Sequence, residues 1–301
     1  MRILHVDTGP EMRGGQYQVL LLLKCLRERG HESILLAREK SALWNAASVS
    51  GFAVEPAEVK ELWRRSKDVM LVHAHDARAH TIAAMASRRK FVVSRRVAFP
   101  IGRSVASHWK YQRAARYLAV SEFVATELMA AGVRQEKIDV VYDGVELPAH
   151  AVDWSRTRPA VALDSTDPLK ERSTIEEASR LAGIPVAFSS DLVKDLPRGS
   201  MFVYLSATEG LGSAALVAMS MGVPVIASAV AGLTEAIAPE VSGLLVANDP
   251  PKVAEAMRRI IDEPGLGERL GAAGRERVSD LFTAGHLVER TVESYERALG
   301  S

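Results

Sequence analysis

The stretch from Tyr204 to Ser228, YLSATEGLGSAALVAMSMGVPVIAS, decides how this chain is read. An apolar run, Met201–Leu205, has strand character and ends as the stretch begins. A short polar loop then carries Glu209, and Gly210 and Gly212 open a segment of small apolar residues, Ser213–Met221, that reads as a helix. A second strand run, Val223–Ala227, follows. Strand, loop, helix and strand make a βαβ unit, the building block of a parallel sheet. Small side chains let the helix lie close to the sheet. Glu209 and the amides of Gly210, Leu211 and Gly212 then fall at the carboxyl edge of the strand, where α/β sheets bind ligands.

The same alternation extends in both directions. Upstream strands are expected at Arg2–Val6, Ser33–Ala37, Met70–Ala74, Phe91–Ser94, Tyr117–Val120 and Ile138–Tyr142, with helices at Gln16–Arg29, Ala77–Ser87, Ser104–Ala115 and Glu122–Ala131. Gly30 and Gly132 sit where helix C-caps belong. Residues 144–159, GVELPAHAVDWSRTRP, carry prolines and no period. Beyond them strands are expected at Ala160–Leu163, Pro185–Phe188 and Gly243–Val246, and helices at Thr174–Ala182 and Val253–Asp262. The tail Gly265–Leu299 reads as helices broken near Gly274 and Gly285. The expected organisation is α/β: a Rossmann-like domain over 1–147, a linker over 148–158 and a second Rossmann-like domain with a helical tail over 159–301. Two doubly wound sheets would face a cleft.

Composition bounds the function. With 48% hydrophobic residues, 25% charged residues and a net charge of +1, the chain is neither disordered nor globally basic, so nucleic acid is not an expected partner. Cys25 is the single cysteine, which leaves no disulfide framework and no thiolate zinc site. The opening residues lack a signal-peptide pattern, and no apolar run approaches the length of a membrane span. A cytoplasmic protein is expected. Locally the charge is uneven. From Ala77 to Ser121 there is no Asp or Glu, but there are Arg78, Arg88, Arg89, Lys90, Arg95, Arg96, Arg103, Lys110, Arg113 and Arg116. These are either solvated helix faces or a surface for anionic lipid or a phosphorylated acceptor.

The turn T8-GPEMRG-G15 lies between the first strand and first helix, so its amides, with those of Gly14 and Gly15, suit a diphosphate. Any tight strand-to-helix turn also favours glycine, so this signal alone is weak. His73 and His75 flank a strand end beside Asp76. They form either a polar strand end or a metal pair, and no second ligand cluster supports the metal.

Here a resemblance becomes specific. Residues 204–228 resemble the signature of the large retaining glycosyltransferase family with the GT-B fold (the glycosyltransferase family 4 type), E-G-x-G-x-x-x-x-E-A-M-A-x-G-x-P-V-x-A. The opening M1-RILHV, the run G14-GQYQVLLLLKCLRERGH-E32, L71-VHA-H75, L118-AV-S121, V140-VYDGV-E146, A231-GLT-E235, S242-GLL-V246 and E293-SYERA-L299 are similar to that family in order. The resemblance implies a transferase moving a sugar from a nucleoside-diphosphate sugar to a lipid-linked or carbohydrate acceptor, with retention. It implies that Glu209 and the amides of Gly210, Leu211 and Gly212 hold the donor sugar. Lys170 would neutralise the donor diphosphate, and Gly14 and Gly15 would face it. No D-x-D motif is present, so no metal or other cofactor is expected, the sugar nucleotide being a co-substrate. Arg95 and Arg96 replace a histidine the family often carries; with His75 they are candidate contacts to a phosphate or anionic acceptor. A cytoplasmic protein peripheral to the inner face of an acidic membrane fits these partners.

Three departures qualify the likeness. The signature's second glutamate is Val217, an arginine expected five residues before Lys170 is Ser165, and Ile184–Thr208 has room for only two strands, which shortens the C-terminal domain. Val217 and Ser165 favour a second reading, a non-catalytic GT-B-like binding protein. A nicotinamide oxidoreductase is a third, because G210-LGSA-A215 fits G-x-G-x-x-A. That reading needs an acidic residue after the next strand, where the sequence has Ala227-Ser228-Ala229-Val230.

Overall fold

Every strand pairing among the described residues, 1–102 and 104–300 of this computed structural model, is parallel. Arg103, one of the basic residues singled out above, lies outside them. The first half runs β1 (Arg2–Asp7), α1 (Gly14–Glu28), β2 (Glu32–Ala37), α2 (Ala42–Val49), β3 (Ala53–Pro56), α3 (Val59–Arg65), β4 (Leu71–Ala74), α4 (Ala77–Ala86), β5 (Phe91–Arg95), α5 (Val105–Arg113), β6 (Arg116–Ala119), α6 (Glu122–Ala130) and β7 (Ile138–Val140). The second runs β8 (Ala160–Leu163), α7 (Arg172–Ala182), β9 (Val186–Ser189), α8 (Leu192–Asp195), β10 (Met201–Tyr204), α9 (Ser213–Ser220), β11 (Val225–Ser228), α10 (Leu233–Ala236), β12 (Leu244–Val246), α11 (Pro250–Asp262), α12 (Leu266–Leu281) and α13 (Ala284–Leu299).

The strands form a seven-stranded sheet of order β3-β2-β1-β4-β5-β6-β7 and a five-stranded sheet of order β12-β11-β10-β8-β9. Central strands such as β1 and β10 are buried along almost their whole length, the mark of a parallel sheet covered on both faces. Each order reverses direction beside its first strand, which makes a topological switch point at the carboxyl edges of β1 and β4 in one sheet and β8 and β10 in the other. Side-chain caps from Ser41, Asp76, Ser104 and Ser121 start α2, α4, α5 and α6.

The two-domain α/β organisation agrees with the sequence reading, and four details differ. The elements α2, β3 and α3 were not foreseen; β3 is a four-residue, half-buried edge strand with little periodic signal. No helix break occurs at Gly274, because α12 runs through it. A Cβ there would lie 3.2 Å from the Ser242 carbonyl oxygen, and one at Gly271 only 2.1 Å from that of Gly222. These glycines admit close packing on the Met219–Gly222 region and do not end the helix. The break near Gly285 does occur, between α12 and α13.

The boundaries also differ. One unit comprises Met1–Asp143 with Ala284–Ser301, the other Gly144–Thr283. Residues 148–158 therefore belong to the second unit, and α13 returns to the first. The cause is the apolar stripe of α13: Leu287, Val288, Tyr295 and Ala298 join the core formed by Ile3, Leu22, Leu71 and Val92. Amphipathicity shows that a helix docks but does not say against which sheet. The abbreviation of the second sheet is as expected, with only β9, the one-turn α8, a 3-10 turn and β10 between Ile184 and Thr208.

Candidate functional site

In the second unit, Lys170, Tyr204 and Glu209 converge at the carboxyl edge of β8 and β10. Lys170 follows β8 through a 3-10 turn whose start is capped by Asp167. That turn is tied to the following loop by the Ala207 amide donating to the Leu169 carbonyl at 2.9 Å. The Lys170 ammonium contacts Glu209 Oε1 and donates to the Tyr204 hydroxyl at 2.7 Å, and that hydroxyl donates to Glu209 Oε1 at 2.8 Å. The ammonium also lies 4.7 Å from the Tyr204 ring centroid, close enough for cation–π attraction. Side chains of Lys170 and Glu209 are 18% and 15% exposed, so the pair remains reachable from solvent. Burial, reinforced by the Glu209 carboxylate, raises the Tyr204 pKa well above its ordinary value, so the hydroxyl stays a donor.

The glycine loop is held from below. Gly212 takes a left-handed φ of 94° as it caps α9, and a Cβ there would meet Leu233 Cδ2 at 2.4 Å. The Gly232 amide donates to the Glu209 carbonyl at 3.2 Å, and a Cβ on Gly232 would overlap the Gly210 carbonyl oxygen at 1.9 Å. A glycine at 232 is thus required for the backbone carrying Glu209 to take this path. Below, the Ser228 hydroxyl accepts from the Ser206 amide at 2.8 Å and Asn248 Nδ2 donates to the Ser206 carbonyl at 3.0 Å, which ties the ends of β10 and β11. On α9, Ser213, Ala214 and Val217 are partly exposed while Ala215, Leu216, Ala218 and Met219 are buried. Val217 therefore lies on the open face of this helix, not in its packed one. Ser165 accepts from the Asp167 amide at 3.2 Å and brings no charge.

In the first unit a second cluster occupies the carboxyl edge of β1, β4 and β5. Asp7 accepts from the Gly9 amide at 2.9 Å and from Gln16 Nε2 at 3.1 Å, while Asp76 accepts from the Thr8 hydroxyl at 2.9 Å and caps α4. The two carboxylates pin both ends of the turn leading to Gly14 and Gly15. Burial first, and Asp76 second, raise the Asp7 pKa. Gly15 has no neighbour within 4 Å of an added Cβ, so its role is not steric.

His75 is buried. Its Nδ1 faces Arg96 Nη1 at 3.4 Å and its Nε2 faces His5 Nδ1 at 3.0 Å; Arg96 Nε in turn pairs with Asp143 at 3.0 Å. An arginine only donates, so the proton order is set: His75 Nδ1 accepts, its Nε2–H donates to His5 Nδ1, and His5 Nε2–H donates to Ser33 Oγ at 3.4 Å. His73 bridges Tyr295 of α13 at 2.6 Å and Ser94 at 2.8 Å. Burial lowers the pKa of His5 to about 3 and those of His73 and His75 well below the ordinary value, so all three stay neutral. Arg95 points elsewhere, donating to the Tyr111 hydroxyl at 3.1 Å and to the Phe99 carbonyl.

His5, His73 and His75 place ligand atoms within 4.8 Å of one another, the one such group among the described residues. They do not suit a cation. Each ring nitrogen already has a partner, no carboxylate belongs to the group, and the Arg96 guanidinium abuts His75.

Of the residues singled out in sequence, Lys170, Glu209 and the Gly210–Gly212 loop come together in one unit, and His75 meets Arg96 in the other. Tyr204, Asn248, Asp7, Gln16, His5, Asp143 and Tyr295 were missed. Only Tyr204 carried a local signal, as a polar aromatic closing a buried strand; the others act through partners remote in sequence.

Two parallel-sheet Rossmann-like units of this kind define the GT-B fold. It is shared with Anabaena HepE, solved in complex with UDP and glucose, at a TM-score of 0.85 and 17% identity over 97% of this chain and 98% of that one. Sucrose-phosphate synthase of Thermosynechococcus elongatus gives 0.76 at 17% identity over 99% of each chain. Residues 12–148 match the family described as Glycosyltransferase Family 4, and residues 161–263 match that described as Glycosyl transferases group 1. Among curated relatives, an alpha-maltose-1-phosphate synthase of Mycolicibacterium smegmatis is 37% identical over 34% of this chain and 28% of its own length. A D-inositol 3-phosphate glycosyltransferase of a Nocardioides species is 33% identical over 38% and 25%. An MMP alpha-(1->4)-mannosyltransferase of Mycolicibacterium hassiacum is 29% identical over 54% and 41%. The match thus spans between a quarter and under a half of those relatives. No described helix is long and apolar enough to cross a membrane.

Proposed function

We propose that this protein is a glycosyltransferase that moves a sugar from a nucleoside-diphosphate sugar to a hydroxyl of a lipid-linked or carbohydrate acceptor, with retention and without a metal. The observation that carries this reading is the Lys170–Tyr204–Glu209 cluster beside the glycine loop that opens α9. In the free protein Lys170 and Glu209 neutralise one another. When donor binds, the diphosphate takes over the ammonium and the sugar hydroxyls take over the carboxylate. Tyr204 keeps the two groups in place during that exchange.

The bond broken joins the anomeric carbon to the diphosphate, so negative charge grows on the leaving group. Lys170, aided by amides at the start of α9, stabilises that charge, and such pre-organised electrostatic stabilisation is a large part of catalysis. No protein nucleophile is needed when the acceptor is positioned against the sugar. Gly14 and Gly15 are assigned to the diphosphate. Arg96, oriented by His75 and Asp143, is assigned to an anionic acceptor; His75 is too enclosed to touch substrate and becomes a positioning residue. The family matches on both halves and the sugar-nucleotide complexes of the structural neighbour support transfer, and the intact cluster disfavours the non-catalytic alternative. The oxidoreductase reading lacks the acidic residue it requires.

The test is Glu209→Gln. Transfer should fall by about 100-fold, equivalent to about 2.7 kcal/mol, while nucleoside-diphosphate affinity is kept or rises, because the carboxylate addresses the sugar and no longer competes for the Lys170 ammonium. Equal loss of both, or of neither, counts against the assignment.

A further inference from the structure

Resting on the reading of Arg96 as the residue that meets an anionic group of the acceptor, we infer that His5, in the core of the first unit, is a positioning residue for that contact. It acts at one remove, by fixing which nitrogen of His75 carries the proton.

Strand pairing brings the three rings together. His5 of β1 is in register with His73 of β4, and His75 stands two residues beyond His73. The His75 ring centroid is 3.9 Å from that of His73 and 5.3 Å from that of His5. Packed against both and buried, the ring has little room to turn. His73 offers it no acceptor, because Tyr295 and Ser94 occupy both nitrogens of His73. The freedom left to His75 is its tautomer, and His5 sets it. His5 Nδ1, 3.0 Å from His75 Nε2, accepts the proton of that nitrogen, while His5 Nε2–H is directed at Ser33. His75 Nδ1 then keeps its lone pair for Arg96.

Arg96 depends on that lone pair for its direction. Its Nε goes to Asp143 and its Nη1 to His75, which leaves Nη2 for a ligand. The side chain is 12% exposed, so this free edge opens just past the carboxyl end of β5, on the ligand-binding edge of the sheet. Asp143 already offsets the charge of the guanidinium. Recognition of a phosphate or carboxylate therefore turns on where the remaining N–H groups point. Without an acceptor at position 5, the His75 Nε2–H is orphaned in the core, which is costly. The proton moves to Nδ1, two donors oppose one another, and Arg96, which has solvent to retreat to, swings away. A glutamine at position 5 preserves the order, with a carbonyl to accept from His75 and an amide to donate to Ser33. A leucine fills the space and does neither.

The experiment uses the full chain, isotopically labelled at the nitrogens of histidine and arginine, with inorganic phosphate as the probe anion. Long-range proton–nitrogen spectra report the His75 tautomer. The Arg96 Nε signal, identified by its loss in Arg96→Lys, reports phosphate binding. The expected result in the wild type is an unprotonated Nδ1 at His75 and a saturable phosphate shift at Arg96. His5→Leu should weaken phosphate affinity at least about tenfold, on the order of one hydrogen bond, and lose the single tautomer; His5→Gln should keep both. UDP affinity, assigned to Lys170 and the loop that opens α9, is read separately and should be equal in both variants. Its absence would count against the transfer reading without touching the result at Arg96. A wild-type His75 protonated at Nδ1 overturns the inference before any variant is made. So does a phosphate shift unchanged by His5→Leu, which would leave His5 a packing residue, or no phosphate shift at Arg96 at all.

Discussion

Replacing Val217 by glutamate should tighten nucleoside-diphosphate binding, and the structure sets the scale. Position 217 lies in the second turn of α9, on the same partly exposed face as Ser213 and Ala214, and follows the glycine loop that carries Glu209. A carboxylate there stays solvated when no ligand is bound. Its cost to the fold should be within about 0.5 kcal/mol, the usual range for such surface changes, and glutamate is a slightly better helix former than valine. A hydrogen bond from a ribose hydroxyl to a carboxylate contributes about 1.5–3 kcal/mol. One such bond at the lower limit gives about a tenfold gain in affinity, and two give about 100-fold or more. Titration calorimetry of UDP and GDP with both proteins measures it, and denaturant unfolding supplies the control. An unchanged Kd for both nucleotides in a stable variant would refute the placement of position 217 beside the ribose. A stability loss of several kcal/mol would instead show that the side chain is buried, contrary to its position on the open face of α9.

Two further outcomes follow from the side-chain networks. Tyr204→Phe removes the hydroxyl that joins Lys170 to Glu209 but leaves the direct ion pair; kcat should fall several-fold to tenfold with little change in stability, and a wild-type kcat would show that Tyr204 positions nothing. The second concerns acid. His5 and His80 have folded pKa values of about 3, lowered by burial, against about 6.5 when unfolded, so the unfolded chain binds more protons between those limits. Stability is fully present above about pH 6.5 and is lost as pH falls, by about 1.4 kcal/mol per group for each pH unit. Urea unfolding at pH 7.5 and 5.5 should differ by about 2–3 kcal/mol from these two residues, with His73 and His75 adding in the same direction. Equal stability at both pH values would mean that these histidines are not neutral and buried.

What the sequence alone determined was local. Strand and helix runs in the second half, the small-residue helix after Gly212, the shortened span from Ile184 to Thr208, and Lys170 and Glu209 as candidate site residues could all be read from residue type, period and motif. Each depends on neighbours a few positions apart, and a period of two or of 3.6 residues is visible in one dimension. The tertiary structure decided the rest. It joined Lys170 to Tyr204 and Glu209 across 34 and 39 positions, and His73 to Tyr295 across 222. It returned α13 to the first sheet and ran α12 through Gly274. It gave Arg95, Arg96, Lys110 and Arg116 intramolecular partners while leaving Arg113 exposed beside Trp109. A basic run has the same spelling whether its members form buried pairs or an open surface. Only the partners contributed by other elements tell the two apart, because the cost of burying a charge is met by groups remote in the chain.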